Sequence, residues 1–291
     1  MRSEKEMYSL IIETARADER IRAVYMNGSR TNPNVPQDIF QDYDIVYVVT
    51  ENKPFYEDKN WIDVFGERLY MQCPDELDRS VGKETDFDRS YGWLMQLADG
   101  NRIDFTVRPV SDSGVTEDKL CRILLDKDGI LPKIPDPTDE DYRIKKPSAE
   151  EFHAACNEFW WCMNNVAKGL WRKEPTYVQD MLNYWIRPQL VKLLTWKIGF
   201  ETDFSVSAGK SAKYLYKWLR PEIWQRFLNT YSGCAVSEIW DSVFEMCSLM
   251  DGLAPEIAEK LQTEYDPKMA ENSRMWLEKV YGLPENAKEI L

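Results

Sequence analysis

Apolar and polar positions follow two different periods in the two halves of the chain. In the first half, short apolar or alternating runs indicate strands, separated by loops that are rich in Asn, Gly and Pro. We predict strands at 21–26, 44–50, 68–72, 93–97 and 102–107. Helical spacing predicts a helix over 4–18 and a short one at 61–65, whereas residues 74–90 are charged and favour irregular structure.

The second half is dominated by helical spacing. A capping-box sequence at Ser148 opens the first long helix, which continues to Leu170. The second begins at Thr176 and continues to Leu190, and Pro188 is expected to kink it. Further helices are predicted at 212–219, 222–231, 236–250, 255–265 and 270–281.

A proline-rich and acidic stretch at 131–137 is typical of a linker between these halves. We therefore predict an α+β protein with two domains, over 1–135 and 136–291. The first would be a mixed sheet with flanking helices, and the second would be entirely helical.

Charge and composition exclude several classes of function. The 291 residues carry a formal net charge of −13, which repels nucleic acids and suits cationic partners, although it also serves solubility. His153 is the one histidine, so most histidine-based catalysis is excluded, and the six cysteines include no C-x-x-C pair. The charged N-terminus and the lack of a long apolar segment predict a cytoplasmic protein without a membrane span.

Candidate chemistry lies in the first half, where four features follow one another. Gly28-Ser29 ends a predicted strand, twelve residues separate it from Asp42-x-Asp44, and Asp104 alternates within a later strand. Residues i and i+2 of a strand point to one face, so Asp42 and Asp44 would stand side by side. Such paired charges need a cation, and oxygen ligands favour magnesium or manganese. D-x-D pairs are common and most merely face water, but the joint pattern is specific.

The roles of these residues follow from the chemistry of nucleotidyl transfer. Gly28 would let the backbone approach a phosphate, and Ser29 would offer its hydroxyl and amide to a triphosphate. Asp42 and Asp44 would hold two Mg²⁺ ions. Asp104 would complete the second metal site or accept the proton of the attacking hydroxyl.

This pattern resembles the fingerprint of the polymerase-β-like nucleotidyltransferase superfamily. More narrowly, nearly the whole chain is similar to the aminoglycoside 6-adenylyltransferases, also called streptomycin adenylyltransferases. The similarity rests on 1–7, Asp18–Arg22, Gly28–Asn32, Phe40–Ile45, Leu124–Asp128, Asn157–Trp160, Lys168–Leu170 and Ile186–Pro188. It implies a polymerase-β-like nucleotidyltransferase domain, a helical substrate-binding domain, and transfer of AMP from ATP to a hydroxyl of streptomycin.

The resemblance also suggests roles for residues outside the aspartate pattern. Lys168 is the candidate triphosphate contact and Arg172 a second one, although both also fit a solvated helix C-terminus. Asp180 is a candidate for binding a cationic group of the drug, or for acting as the base in place of Asp104; it also fits ordinary complementarity to a helix dipole. Arg30 is a further candidate phosphate contact, although a loop arginine is commonly just exposed.

The acceptor is less well defined by the sequence. Streptomycin carries guanidinium groups that carboxylates would bind, and Glu84, Asp86 and Asp88 are candidates, although they also fit a solvated loop. Two alternatives stay open: a nucleotidyltransferase that acts on a lincosamide, a protein side chain or an RNA end, and a non-catalytic relative that senses nucleotides. The oligomeric state is open as well, with a monomer preferred.

Overall fold

A six-stranded mixed sheet organises the first half of the chain. The computed structural model describes residues 1–290. The strands are β1 (Ile21–Asn27), β2 (Tyr43–Val49), β3 (Arg68–Gln72), β4 (Tyr91–Leu97), β5 (Arg102–Pro109) and β6 (Cys121–Asp126). Their order is β3-β4-β5-β2-β1-β6, with β2 and β5 parallel and the other neighbours antiparallel.

The two faces of this sheet differ in what covers them. One face carries the larger core, to which β2 contributes Tyr43, Ile45, Tyr47 and Val49. The opposite face has a smaller cluster in which Val46 and Val48 take part. Because side chains alternate along β2, Asp44 belongs to this second face.

Helix α1 (Glu4–Ala17) covers the core face of the sheet. Its N-terminus has a complete capping box between Ser3 and Glu6. Its buried positions follow helical spacing, and the hydroxyl of Tyr47 donates a 2.5 Å hydrogen bond to the carbonyl of Ile11. Two short helices, α2 (Lys53–Glu57) and α3 (Pro74–Ser80), complete the regular helices of this half.

Two elements of the first half depart from the sequence prediction. Strand β6 was not predicted: it is an edge strand with mixed burial, and the charged residues after Leu125 obscure its pattern. Helix α3 lies in the stretch that was expected to be irregular, so that prediction was wrong for 74–80. None of its residues is buried, so the helix has no apolar stripe that the sequence could reveal.

The second half is helical throughout its regular structure. Its helices are α4 (Ala149–Trp171), α5 (Pro175–Asp180), α6 (Arg187–Glu201), α7 (Leu215–Trp218), α8 (Pro221–Leu228), α9 (Val236–Leu261) and α10 (Lys268–Tyr281). A π-helical stretch, Met181–Ile186, joins α5 to α6, so the irregularity expected near Pro188 lies just before that proline. The α+β prediction is confirmed.

Helix α9 corrects one further expectation. The sequence predicted two helices, at 236–250 and 255–265, separated before Pro255. The structure has one helix that includes Pro255 in its interior. Buried residues continue on both sides of the proline, among them Leu253, Ala254 and Ile257, so burial of this stripe outweighs the lost backbone hydrogen bond.

The chain divides into two compact units, Met1–Asp141 and a second that begins at Tyr142. The domain boundary predicted at 135/136 lies shortly before that division. Within residues 1–290, no helix has both the length and the apolar character that a membrane crossing requires.

Candidate active site

The three aspartates of the sequence pattern lie together on the less covered face of the sheet. Asp44 on β2 is paired with Asp104 on the parallel strand β5, and Asp42 immediately precedes β2. One carboxylate oxygen from each lies within 4.8 Å of the others. Among the described residues 1–290, no other group of three Asp, Glu, His or Cys side chains is placed to hold a metal ion.

Side-chain alternation explains this clustering. Tyr43 and Ile45 are completely buried on the core face, which leaves Asp42 and Asp44 directed to the opposite face. Asp104 shares that face, since its neighbours Ile103 and Phe105 are buried in the larger core. The same face of a central strand pair thus carries all three carboxylates.

Gly28 makes room for Asp44. Its φ of +79° lies in the left-handed region, and an added Cβ would come within 1.9 Å of Oδ2 of Asp44. Its amide donates a 3.2 Å hydrogen bond to the carbonyl of Leu120, and its carbonyl accepts one from the amide of Thr31 at 3.1 Å. Ser29 begins the short 3₁₀ turn that follows and is partly exposed. The backbone at Gly28 therefore lies directly against the Asp44 carboxylate.

Arg30 holds the segment that carries Asp42. Its Nε donates to the carbonyl of Asp42 at 3.0 Å and its Nη2 to the carbonyl of Gln41 at 2.8 Å. The guanidinium also lies 3.8 Å from the centre of the Tyr43 ring. Only 9% of the Arg30 side chain is exposed. In this structure the guanidinium predicted to contact phosphates is bound to the protein backbone.

Arg102 is the cation nearest the cluster. Its Nε and Nη2 each donate a 2.7 Å hydrogen bond to one oxygen of Asp104, and its Nε lies 3.8 Å from Oδ2 of Asp42. Arg102 and Asp104 are two residues apart on β5 and so share a face. Arg102 was not among the residues predicted from the sequence, although its position two residues before Asp104 was a usable signal.

Burial and mutual repulsion make the charged form of the Asp44 carboxylate unfavourable. Burial, followed by the negative charges of Asp42 and Asp104, raises the pKa of Asp44 to about 7, and Arg102 opposes this shift. A carboxylate in this environment is stabilised in its charged form by a cation with oxygen preference. Asn27 of β1 is paired with Asp44 of β2, and its Oδ1 is buried without a hydrogen-bond partner among residues 1–290. Both observations fit a magnesium ion and its hydration shell.

The remaining candidates of the pattern belong to the second unit. Lys168 lies in the last turn of α4, and Arg172 follows as its C-terminal cap. Asp180 is the last residue of α5, where the π-helical stretch begins, rather than an early residue of a long regular helix. All three side chains are exposed.

A polar cleft of about 960 Å³ lies within the first unit. Glu84 and Asp86 line it, together with Arg108 of β5, which shares the face of Asp104 by alternation. Asp88 does not line this cleft; its carboxylate accepts a 3.0 Å hydrogen bond from the hydroxyl of Tyr56. Of the three acidic candidates, Glu84 and Asp86 therefore lie at the cleft, whereas Asp88 is bound to Tyr56.

Comparisons with known proteins identify the family of this chain. The family model described as streptomycin adenylyltransferase matches residues 1–280. An aminoglycoside 6-adenylyltransferase of Campylobacter jejuni is 38% identical over 99% of this chain and its own full length. One from Bacillus subtilis (strain 168) is 36% identical, over 97% of this chain and 99% of its own. A crystal structure of an aminoglycoside 6-adenyltransferase from Bacillus subtilis covers 97% of this chain and all of its own, with 31% identity and a TM-score of 0.48.

Proposed function

Because the chain belongs to the streptomycin adenylyltransferase family and is an adenylyltransferase, we propose that it transfers AMP from ATP to a hydroxyl of streptomycin. The observation that carries the proposal is the meeting of Asp42, Asp44 and Asp104 beside Gly28. In the reaction, the hydroxyl oxygen bonds to the α-phosphorus of ATP, and the bond to the bridging oxygen of pyrophosphate breaks. The modified drug would no longer act, which gives resistance.

The aspartates would prepare the site for this substitution. Asp42 and Asp44 would hold two Mg²⁺ ions with Asp104 as a further ligand, and the metal would supply neutralisation of phosphate charge and activation of the attacking hydroxyl. Alternatively, Asp104 would accept the proton of the attacking hydroxyl. Asp180 of the second unit is the alternative base or a contact for a cationic group of the drug.

Further groups are proposed for nucleotide binding. Ser29 contributes its hydroxyl and amide to the triphosphate, and Gly28 allows the backbone to approach it. Lys168 and Arg172 are the proposed cationic partners of the phosphates, and their exposure leaves them available for this role. Arg30 would act by fixing the backbone at Asp42, since its guanidinium already binds two carbonyls.

The polar cleft of the first unit is the proposed place for the cationic acceptor. Glu84 and Asp86 line it, and carboxylates bind guanidinium groups through paired, charge-assisted hydrogen bonds. The acidic net charge of the chain favours such a substrate and disfavours RNA. We place the reaction in the cytoplasm, where ATP is supplied, and all six cysteines are free as a reducing compartment requires.

Pyrophosphate release tests this function directly. Purified protein is incubated with ATP and magnesium and, separately, streptomycin, kanamycin, spectinomycin or lincomycin, and products are identified by mass spectrometry. We expect an AMP adduct of streptomycin, absent with Asp44→Asn. An adduct of another drug would keep the chemistry and move the substrate. Lack of any adduct would contradict the proposal and favour a protein or RNA acceptor.

A further inference from the structure

The guanidinium of Arg102 occupies the position of a counter-ion in the carboxylate cluster. It binds both oxygens of Asp104 and reaches Asp42, and both of these carboxylates are predicted metal ligands. Nearly half of the Arg102 side chain, 48%, is exposed. The hydrogen bonds of its side chain go to Asp104, so this carboxylate holds a guanidinium that is also open to solvent.

Charge balance gives this contact a consequence for metal binding. With the three aspartates ionised, Arg102 leaves the cluster with two negative charges, which one divalent cation neutralises. A second divalent cation would meet an already neutral cluster and a nearby guanidinium, and like charges a few ångströms apart repel strongly in a partly buried site. The negative charge that such a second ion needs is carried by the triphosphate.

We propose that Arg102 is a positioning residue that competes with divalent cations for Asp104. It thereby limits the nucleotide-free protein to one bound cation and couples entry of the second to the nucleotide. The inference rests on the proposed function, because it takes Asp42, Asp44 and Asp104 as the cation site. Arg102, two positions before Asp104, thereby sets the order in which the two cations bind.

Manganese titration without nucleotide tests the inference, with free Mn²⁺ followed by its electron paramagnetic resonance signal. The variants are Arg102→Gln, which removes the charge, and Arg102→Lys, which keeps the charge and loses the paired hydrogen bonds. Arg22→Gln is the matched control, because Arg22 binds both oxygens of Asp128 in the same unit, far along the chain from the aspartates. Asp44→Asn reports whether the cluster binds the metal at all.

We expect one Mn²⁺ in the unmodified protein and in Arg22→Gln. Arg102→Gln should bind the first ion at least roughly tenfold more tightly, because one repelling charge has been removed, and should show a second site. Arg102→Lys should keep the single site. Should Arg102→Gln prove unfolded by circular dichroism, a second site or tighter binding in Arg102→Ala decides the question instead.

Two results would overturn the inference: one rejects only the role of Arg102, and the other also rejects the cation site. Equal affinity and stoichiometry in Arg102→Gln and the unmodified protein, with binding lost in Asp44→Asn, would reject the role of Arg102 and leave the metal site intact. Manganese binding that is undetectable in the unmodified protein, or unchanged by Asp44→Asn, would reject the cation site itself and with it the proposed mechanism.

Discussion

Asp44 and Asp104 occupy paired positions on β2 and β5, the parallel strands at the centre of the sheet. Central strands are held by neighbours on both sides, so the two carboxylates sit on backbone that has little freedom to move. Rigid placement of this kind is what substitution at phosphorus requires of its metal ligands.

Gly28→Ala should damage the carboxylate cluster. The added methyl group would lie 1.9 Å from Oδ2 of Asp44, so Asp44 or the turn must shift. A displacement near 1 Å costs on the order of 100-fold in turnover, and kcat with streptomycin and ATP measures it. Gly100→Ala is the matched control, because Gly100 also has positive φ, +90°, but open space around it. Similar losses in both variants would point to backbone strain rather than to Asp44.

Asp44→Asn should stabilise the metal-free protein at alkaline pH. The pKa of Asp44 is raised from 3.8 to about 7 in the folded state, chiefly by burial and then by Asp42 and Asp104. Between about pH 4 and pH 7 the folded state therefore holds a proton that the unfolded state releases, so this group lowers stability as pH rises. The loss is complete above pH 7. We expect the free energy of unfolding of Asp44→Asn to exceed that of the unmodified protein by roughly 1–3 kcal/mol at pH 8.

Denaturant titrations from pH 5 to pH 8 in the presence of a chelator measure this difference. Asp136→Asn serves as the control, since Asp136 is an exposed residue of the same unit. The prediction fails if the curves of Asp44→Asn and the unmodified protein stay parallel over that range.

Glu84→Gln and Asp86→Asn should weaken binding of the cationic acceptor. Both carboxylates line the polar cleft, and loss of one charge-assisted pair is worth about 1.5–3 kcal/mol, or roughly a ten- to hundredfold rise in KM for streptomycin. The KM for ATP should not change. Asp88→Asn is the control, because Asp88 binds the hydroxyl of Tyr56 instead. An equal rise in all three variants would place the acceptor elsewhere.

Arg30→Met should lower kcat and weaken manganese binding while leaving the KM for ATP nearly unchanged. The guanidinium fixes the carbonyls of Gln41 and Asp42, so its loss would loosen the backbone of Asp42, a proposed metal ligand. We expect a fall in kcat of roughly 10- to 100-fold. Glu4→Gln, which removes only the 3.4 Å ion pair to Arg30, should behave normally. A rise in the KM for ATP with unchanged manganese affinity would instead identify Arg30 as a phosphate contact.

Features with strong local patterns were predictable from the sequence. Strand β2 was predicted from its apolar run and β5 from its alternation, and the i, i+2 spacing predicted that Asp42 and Asp44 share a face. The capping box at Ser148 marked the start of α4 correctly. These signals are local, so they can be read without knowing which elements are neighbours.

What could not be predicted depends on contacts between distant residues or on packing. Strand β6 is defined by pairing with β1, about a hundred residues earlier in the chain, and its own residues are too weakly buried to show a pattern. Pro255 marked a helix end in the sequence, but burial on either side of it keeps α9 continuous. The approach of Arg102 to Asp42 depends on the placement of β5 beside β2.

The alternation of side chains along β2 also restricts how this enzyme can evolve. Tyr43 and Ile45 lie on the core face and Asp44 on the other, so inserting or deleting one residue just after Asp42 would exchange the two sets. A carboxylate would enter the core while a tyrosine replaced it beside Asp104. Single-residue length changes in this segment are therefore lethal to folding and chemistry together, and adaptation to new acceptors has to proceed by substitution or in loops away from the strand.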